Sequence, residues 1–257
     1  MYKKTAIITG ASSGLGKEFL RQLLPDSSIE EFIIIARRKD RLDALAATCP
    51  ERITVYPLDL CDSNQLLEFV KYLDYKRPYI THLINKAGIG KVGSAAETSL
   101  NDTDRMIHLN CRAMADMVCI CLPFMHEYSK IINISSVAGF TPLPGFSIYS
   151  ATKAFVQTYS KALHQELKGR HIQVTCVCPY WIKDTEFISL AQDNGNPNYH
   201  TMPFPSNSQE VVRIALKDSA HNRSLSTPGA ISTALRYISK ITPDCLSVKI
   251  ADIARKL

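Results

Sequence analysis

The chain has 257 residues, of which 46% are hydrophobic and 21% are charged, a composition typical of a globular protein with one large core. Its formal net charge of +6 comes from scattered lysines and arginines without a run of like charges, which argues against a nucleic-acid-binding protein. No apolar run reaches the roughly 18 residues that cross a bilayer, so no membrane span is expected.

The eight cysteines include no pair in the spacing CxxC. Two pairs, Cys119 with Cys121 and Cys176 with Cys178, lie in apolar stretches and are expected to be buried thiols. The N-terminal apolar stretch is too short for a secretory signal, so the thiols are expected to stay reduced in a cytoplasmic protein. The histidines and cysteines also lack the spacing of metal ligands, and no metal is expected.

Short apolar runs alternate with stretches of helical periodicity along most of the chain. The predicted strands are Thr5–Thr9, Phe32–Ala36, Ile53–Pro57, Thr81–Asn85, Lys130–Ser135 and Gln173–Cys178. Continuously apolar strands separated by helices are typical of a parallel sheet with helices on both faces and right-handed crossovers. We therefore predict an α/β fold in a single domain over residues 1–257, a Rossmann-like doubly wound parallel sheet of about seven strands.

The sequence changes character after the last of these predicted strands. Residues 192–208 are rich in Asn, Pro and Ser, and helical periodicity resumes over Ser208–Asp218. Ligands bind at the carboxyl ends of the strands in such sheets, so residues 181–220 are predicted to include a substrate-binding lid. A plain surface loop is the alternative.

A glycine-rich segment joins the first predicted strand to the first predicted helix. Its sequence is Thr9-Gly10-Ala11-Ser12-Ser13-Gly14-Leu15-Gly16. Glycines there permit a tight turn, close approach of a pyrophosphate and close helix packing, and the helix N-terminus adds amides and a partial positive charge. We expect this segment to bind a dinucleotide through Gly10, Ser12, Ser13, Gly14, Leu15 and Gly16. A glycine pattern alone is a weak signal.

The second predicted strand ends in Ala36, followed by Arg37 and Arg38. A site that prefers NAD usually has an acidic residue at this position, which binds the ribose 2′-hydroxyl and repels a 2′-phosphate. Here that carboxylate is absent, and two guanidinium groups are available to a phosphate. Two exposed arginines that open a helix are the alternative, although cations are unfavourable at that helix end. The sequence therefore predicts NADP(H) as the cofactor.

The strongest signal combines Ser136, Tyr149 and Lys153. Tyr149 follows Ser136 by thirteen residues and precedes Lys153 by four. Residues four apart lie on one face of a helix, so the ammonium group can lie near the phenol, and Ser136 ends a predicted strand that faces the same pocket. Taken separately, the three residues are as easily a loop hydroxyl, a core aromatic and a solvated lysine.

The order and spacing of these motifs resemble the short-chain dehydrogenase/reductase family over roughly residues 5 to 185. The resemblance implies a catalytic group of Asn110, Ser136, Tyr149 and Lys153. It also implies cofactor contacts by Asp59, Leu60, Asn85, Ala87, Gly88, Pro179, Ile182 and Thr185, besides Tyr149 and Lys153. The chain departs from the family pattern at two of the neighbouring positions, where Lys86 replaces an asparagine and Tyr180 a glycine.

The resemblance further implies hydride transfer between a nicotinamide and a carbonyl or secondary alcohol. Tyr149 would be the acid in reduction and the base in oxidation, and Lys153 would lower its pKa from the ~10 of a free phenol and hold the nicotinamide ribose. Ser136 would donate to the substrate oxygen, and Asn110 would support a proton-carrying water. The alternative is a non-catalytic NADP-binding sensor or scaffold, which has no need of this catalytic group.

Apolar residues in the predicted lid favour a bulky apolar ketone or secondary alcohol, with a hydroxysteroid as first hypothesis and a 3-ketoacyl thioester as second. These residues are Phe187, Ile188, Leu190, Tyr199, Met202 and Phe204. They also suit simple packing of the lid onto the domain. The resemblance implies a homodimer or homotetramer that packs through the helices around Arg105–Met125 and Ile148–Lys168, unless the sheet uses their apolar faces.

Overall fold

The computed structural model describes residues 2–191 and 204–256. One sheet contains seven strands: β1 (Lys4–Thr9), β2 (Glu31–Ala36), β3 (Ile53–Pro57), β4 (Tyr79–Asn85), β5 (Met125–Ile134), β6 (Gln173–Val177) and β7 (Leu225–Ser226). The α-helices of these residues are α1 (Gly14–Leu23), α2 (Lys39–Ala46), α3 (Ser63–Lys76), α4 (Leu100–Ile107), α5 (Ala113–Cys121), α6 (Ser147–Glu166), α7 (Phe187–Ala191), α8 (Ser208–Ala220), α9 (Ala230–Ile241) and α10 (Asp244–Lys256).

The sheet is doubly wound. Its strand order is β3-β2-β1-β4-β5-β6-β7, and every neighbouring pair is parallel. The chain proceeds outward from β1 to β3 and then crosses back to β4, so the winding direction reverses between β1 and β4. A crevice opens at the carboxyl ends of two such strands, where ligands bind in sheets of this kind. The predicted fold class is confirmed.

Helices cover both faces of the sheet, which explains why its central strands are apolar throughout. In β1, Ile7 and Ile8 are both fully buried. Ile7 belongs to the core that contains Phe69 of α3 and Met117 of α5, whereas Ile8 belongs to the core that contains Phe19 of α1. Successive side chains of a strand point to opposite faces, so both must be apolar.

Residues 100–124 form a helical stretch that is long and apolar enough to cross a membrane, judged by length and composition. Its inner face, however, belongs to the core, because Ala113, Met117 and Cys121 are fully buried beside β4. We interpret the stretch as a helix of the α/β layer. The expected burial of both thiols in this stretch is wrong for Cys119, which is exposed because residues two apart lie on different faces of a helix.

A buried histidine in β4 makes the stability of the fold sensitive to acid. His82 is 8% exposed, and its Nδ1 lies 3.1 Å from Thr81 Oγ1. Burial, and then the nearby Lys130, lower the pKa of His82 to about 4, while Asp26 acts in the opposite direction. An unfolded chain protonates histidine near ~6.5, so as pH falls the unfolded state takes up this proton first.

We therefore expect the titration of His82 to lower the free energy of unfolding by about 3 kcal/mol as pH falls from ~6.5 to ~4. Carboxylates titrate in the same range, so the measurement compares urea unfolding of the parent and of His82→Gln across these pH values. The variant should lose stability less steeply than the parent. Parallel curves for the two proteins would contradict the assignment.

Candidate active site

A cavity of about 500 Å³ lies at the crevice between β1 and β4. This volume is within the range of small-molecule and cofactor sites. Most site residues predicted from the sequence line it: Gly10, Ser12, Ser13, Gly14, Leu15, Arg37, Arg38, Asp59, Leu60, Ala87, Gly88, Ser136, Tyr149, Lys153, Pro179, Ile182 and Thr185. Three others do not line the cavity but contact or adjoin residues that do: Gly16 lies against Gly10, Asn110 against Gly88, and Asn85 precedes Lys86.

The glycine segment forms a cradle that larger side chains would fill. Gly10 has a φ of +66°, and a Cβ built on it would stand 2.9 Å from Ala87 Cα. Gly14 has a φ of +51°, and its Cβ would stand 3.1 Å from Thr185 Cγ2. Ser13 precedes α1 without capping it through its side chain, so the first amides of the helix remain available to an anion. The segment therefore fits the phosphates of a dinucleotide.

Asn110 acts on the site through hydrogen bonds that hold the turn after β4. It lies in a π-helical turn between α4 and α5, a wide turn often found at functional sites. Its Oδ1 accepts from Ile89 N at 2.9 Å, and its Nδ2 donates to Ile89 O at 2.8 Å and to Thr152 Oγ1 at 3.0 Å. Thr152 in turn donates to Tyr149 O at 2.8 Å. Asn110 thus connects this turn to the first part of α6.

Asn85 ends β4 beneath the cavity and belongs to a buried polar chain. Its Nδ2 donates to Asn133 Oδ1 at 3.0 Å, and Asn133 Nδ2 donates to Ser160 Oγ at 3.0 Å. Thr9, at the end of β1, accepts from the backbone amides of Lys86 and Ala87 at 3.1 and 3.2 Å. These bonds fix the ends of β1, β4 and β5 relative to one another.

Tyr149 and Lys153 lie side by side on the buried face of α6. They are 6% and 5% exposed, and Lys153 Nζ lies 5.6 Å from the centroid of the Tyr149 ring. Lys153 Nζ also donates to Ile134 O at 2.9 Å, and burial lowers the pKa of Lys153 to about 8. Ser136 follows β5, and its Oγ accepts from Ala138 N at 3.2 Å. The structure therefore brings Ser136, Tyr149 and Lys153 to one cavity.

An apolar wall surrounds the Tyr149 ring. Phe146 stacks on it with ring centroids 4.3 Å apart, and the Phe187 ring lies 5.3 Å away. Gly90 lies close beside these rings, because a Cβ built on it would stand 2.8 Å from Phe187 Cζ, and a larger residue there would have to shift that ring. Trp181 and Leu190 also line the cavity, and Val92 and Leu143 belong to the apolar cluster that contains Tyr149.

The predicted lid is only partly described. Phe187 and Leu190 line the cavity, Ile188 lies in α7, and Phe204 is 80% exposed. Tyr199 and Met202 lie outside the described residues. From Ser208 onward the chain forms α8, whose Val211 and Val212 are buried in the core beside α1. A lid over residues 181–220 stays a prediction, supported for the described part by Trp181 to Ala191.

Two arginines border the end of the cavity that follows β2. Arg37 is half-exposed, and its Nη1 lies 4.0 Å from Asp59 Oδ2. Arg38 donates to Ser12 Oγ at 3.2 Å and to Glu186 Oε2 at 2.9 Å. The two arginines are thus placed beside the glycine cradle, and Arg37 has the weaker ion pair.

Glu186 is a site residue that the sequence analysis missed. Its second carboxylate oxygen accepts from Arg41 Nη1 at 2.5 Å, and the hydrogen bonds from Arg41 and Arg38 lower the pKa of Glu186. The carboxylate offsets the cations at the start of α2. No signal in the sequence pairs Glu186 with arginines so far away along the chain.

Lys86 is the second residue whose placement the sequence did not predict. It lines the cavity, and its aliphatic chain passes over the glycine segment, with Cδ 3.0 Å from a Cβ built on Gly10. Its Nζ lies 4.0 Å from a Cβ built on Gly14. Burial, and then the Arg38 cation, lower the pKa of Lys86 to about 8, while Glu186 acts in the opposite direction.

Comparison with known proteins agrees with this arrangement. The family model described as short chain dehydrogenase matches residues 4–194. The probable short-chain type dehydrogenase/reductase VdlC of Helicobacter pylori is 34% identical over 180 residues, which are 69% of this chain and 65% of that protein. The NADP-dependent 3-hydroxy acid dehydrogenase YdfG of Salmonella typhi is 33% identical over 187 residues, 72% of this chain and 75% of that enzyme.

A third relative is larger. The very-long-chain 3-oxoacyl-CoA reductase of Anas platyrhynchos is 32% identical over 187 residues, 69% of this chain but 59% of that enzyme. The matched part of this chain is therefore less than two thirds of the length of both the Anas and the Helicobacter proteins.

Two solved structures share the whole architecture. A short-chain dehydrogenase from Sphingobium yanoikuyae in complex with NADPH is 29% identical, with a TM-score of 0.76 over 93% of this chain and 96% of that one. The bulky-bulky ketone specific alcohol dehydrogenase from Comamonas testosteroni is 27% identical, with a TM-score of 0.75 over 95% of this chain and 96% of that one. With the family model matched along most of its length, the chain belongs to the short-chain dehydrogenase/reductase family of oxidoreductases.

Proposed function

We propose that the protein is an NADP(H)-dependent oxidoreductase that interconverts a bulky apolar ketone and the corresponding secondary alcohol. The observation that carries the proposal is the Tyr149 and Lys153 pair, which lines the same cavity as Ser136 and an apolar wall. The similarity to an NADPH-bound dehydrogenase and to a dehydrogenase specific for bulky ketones supports it.

In this proposal each polar group of the cluster has one task. A bound nicotinamide supplies or accepts the hydride. Tyr149 gives its phenolic proton to the substrate oxygen in reduction and takes it back in oxidation. The Lys153 ammonium group favours the ionised phenol, and the Ser136 hydroxyl donates to the substrate oxygen as charge develops there. Asn110 keeps Ile89 and Thr152 in place, and its support of a proton-carrying water stays a prediction.

The apolar wall favours a hydrophobic substrate. Phe146, Trp181, Phe187 and Leu190 offer no charged group to a substrate, which suits a rigid hydrocarbon skeleton such as that of a hydroxysteroid. The second candidate is a 3-ketoacyl thioester, which the similarity to a 3-oxoacyl-CoA reductase favours.

The test is a steady-state comparison of kcat/KM for a panel of steroid ketones and for acetoacetyl thioesters, with NADPH as reductant. Higher values for the steroid ketones are expected. A clear preference for the thioesters would establish the second candidate instead. Tight NADPH binding without turnover of any ketone or aldehyde would favour a sensor or scaffold.

The arginines after β2 are proposed to bind the 2′-phosphate of NADP(H). Arg37 is the better test, because Arg38 is already paired with Glu186. We expect Arg37→Ala to weaken NADPH binding about ten- to hundredfold, the value of one charge-assisted contact, with little change for NADH. Both dissociation constants can be measured by calorimetry.

Lys39→Ala is the matched control for that measurement. Lys39 is the next cation along the chain, but it pairs with Asp43 and does not line the cavity. Its replacement should leave NADPH binding nearly unchanged. Equal use of NADPH and NADH by the unmodified protein would contradict the proposed preference.

Lys86 is proposed to bind the cofactor phosphates, since its ammonium group lies over the glycine cradle. We expect Lys86→Met to weaken NADPH binding about tenfold or more. Because its pKa is about 8, the parent should also bind NADPH more weakly above pH ~8, where the ammonium group loses its proton. The variant should show a smaller decrease, because Lys86 no longer contributes a titrating group whereas Lys153, whose pKa is also about 8, remains.

Lys91→Met is the control, because Lys91 also lines the cavity but, unlike Lys86, is not among the nearest neighbours of a Cβ built on Gly10 or Gly14. Equal effects of the two substitutions would show that Lys86 contributes only general charge.

We further propose a homodimer or homotetramer in the cytoplasm. Ile107 and Phe155 are exposed apolar residues within the two stretches predicted to pack between subunits, Arg105–Met125 and Ile148–Lys168. All eight cysteines are free thiols, which supports a reducing compartment. Sedimentation velocity at micromolar concentration tests the assembly, and a monomer would refute it.

A further inference from the structure

The last two helices expose an unusual amount of apolar surface. The exposed fractions on α9 are 57% for Tyr237, 51% for Ile238 and 83% for Ile241, and on α10 they are 49% for Leu246, 55% for Ile250 and 59% for Ile253. Tyr237 and Ile238 precede Ile241 by four and three residues, and Leu246, Ile250 and Ile253 follow at intervals of four and three, so they form one outward stripe on each helix. We call the two stripes together the C-terminal apolar face.

The polarity of α9 is the reverse of that of an ordinary surface helix, which turns its apolar side to the core. Its inner side packs beside the turn Val137–Gly139 and carries Ser232, which is fully buried and whose Oγ has no hydrogen-bond partner among the described residues. Thr233, also on α9, bonds Thr227. Among the described residues, the apolar side of α9 is therefore left largely exposed.

The charges of these helices indicate what covers them. Lys240 and Lys249 are exposed on α9 and α10, whereas Asp252 on α10 is half-buried. The sequence from Gly229 to the end contains five basic and two acidic residues, a net charge of +3. An apolar stripe with lysines that reach past it is typical of helices that lie in the interface of an anionic bilayer.

We propose that the C-terminal apolar face binds the surface of an anionic lipid bilayer. The isoleucines and Tyr237 would enter the boundary between headgroups and acyl chains, and Lys240 and Lys249 would contact lipid phosphates. A second copy of the chain is a poorer occupant. A symmetric contact would bring Lys240 and Lys249 of both copies into an apolar interface. The other copy would present the same lysines there rather than carboxylates to pair with them.

The test is co-sedimentation of the full chain with vesicles, in the absence of substrate and cofactor, so it is independent of the proposed activity. Vesicles of phosphatidylcholine mixed with phosphatidylglycerol should bind the protein, and vesicles of phosphatidylcholine alone should bind it at least about tenfold more weakly. The double variant Ile241→Asp and Ile250→Asp should lose at least about tenfold in affinity for the mixed vesicles. The double variant Lys240→Gln and Lys249→Gln should lose most of the preference for anionic lipid.

Leu67→Asp is the matched control, because Leu67 is 59% exposed on α3, and it should leave vesicle binding unchanged. All substituted positions are exposed, so circular dichroism and thermal unfolding should match those of the parent. Sedimentation velocity without lipid compares the oligomeric state of the parent with that of the double variant Ile241→Asp and Ile250→Asp. Absence of vesicle binding by the parent would overturn the proposal. So would an oligomer that the two aspartates dissociate, which would assign the face to contact between copies.

Discussion

Tyr149→Phe is expected to lower kcat by about a hundred- to ten-thousandfold while NADPH still binds. The substitution removes only the phenolic oxygen, and the ring can keep its stacking on Phe146 and its position beside Lys153. Without that oxygen, the proposed proton transfer to the substrate has no donor at this position. Steady-state turnover and the dissociation constant of NADPH, measured on the same preparation, separate the chemical loss from a binding loss.

Tyr159→Phe is the matched control for this measurement. Tyr159 lies on the same helix and is half-buried, and burial raises its pKa to about 12, but it does not line the cavity. Its replacement should leave kcat within about twofold of the parent. Retained turnover in Tyr149→Phe, or an equal loss in both variants, would remove Tyr149 from the proposed chemistry.

Much of the fold could be predicted because parallel strands that are buried on both faces are visible in the sequence as continuous apolar runs. β2 and β3 follow this rule, and their predicted bounds differ from the observed ones by at most one residue. β5 does not, because it begins at Met125 whereas the prediction began at Lys130. Its first part is polar and contains a bend at Tyr128, whose φ is +66°, so no apolar run marks it. The two-residue strand β7 is too short to produce any pattern.

The candidate site was predictable where helical geometry alone brings residues together. Tyr149 and Lys153 share a face because they are four residues apart on α6. Glu186 was not predictable, because its ion pairs with Arg38 and Arg41 depend on how the segment after β6 folds over the glycine turn. The sequence also does not show which side of a helix faces the core. The periodicity of α9 predicts an amphipathic helix but does not show that its apolar side points outward.

Gly16→Ala is expected to destabilise the protein by about 3 kcal/mol or more and to abolish measurable NADPH binding. A Cβ at Gly16 would stand 2.2 Å from the carbonyl oxygen of Gly10 and 2.9 Å from Ala11 Cα, both of them backbone atoms of the glycine turn. The turn has little space to move, because it already packs closely on Ala87, whose Cα would stand 2.9 Å from a Cβ built on Gly10. The added methyl group must therefore displace α1 or open the cradle.

Alanine substitutions at two further glycines provide a comparison. The three variants can be ranked by their loss of stability in urea unfolding and by their NADPH affinity in calorimetry. Gly169→Ala should change stability by no more than about 0.5 kcal/mol, because nothing lies within 4 Å of its Cβ. Gly14→Ala should fall between the two, at about 1 to 3 kcal/mol, since its φ is +51° but the nearest atom belongs to the Thr185 side chain, which can move. If Gly16→Ala loses no more stability than Gly169→Ala, then the cradle does not depend on close packing of α1 against the glycine turn. If Gly16→Ala does not fold, the cradle is tested by Gly14→Ala alone. The folded Gly14→Ala variant should then bind NADPH more weakly than the parent.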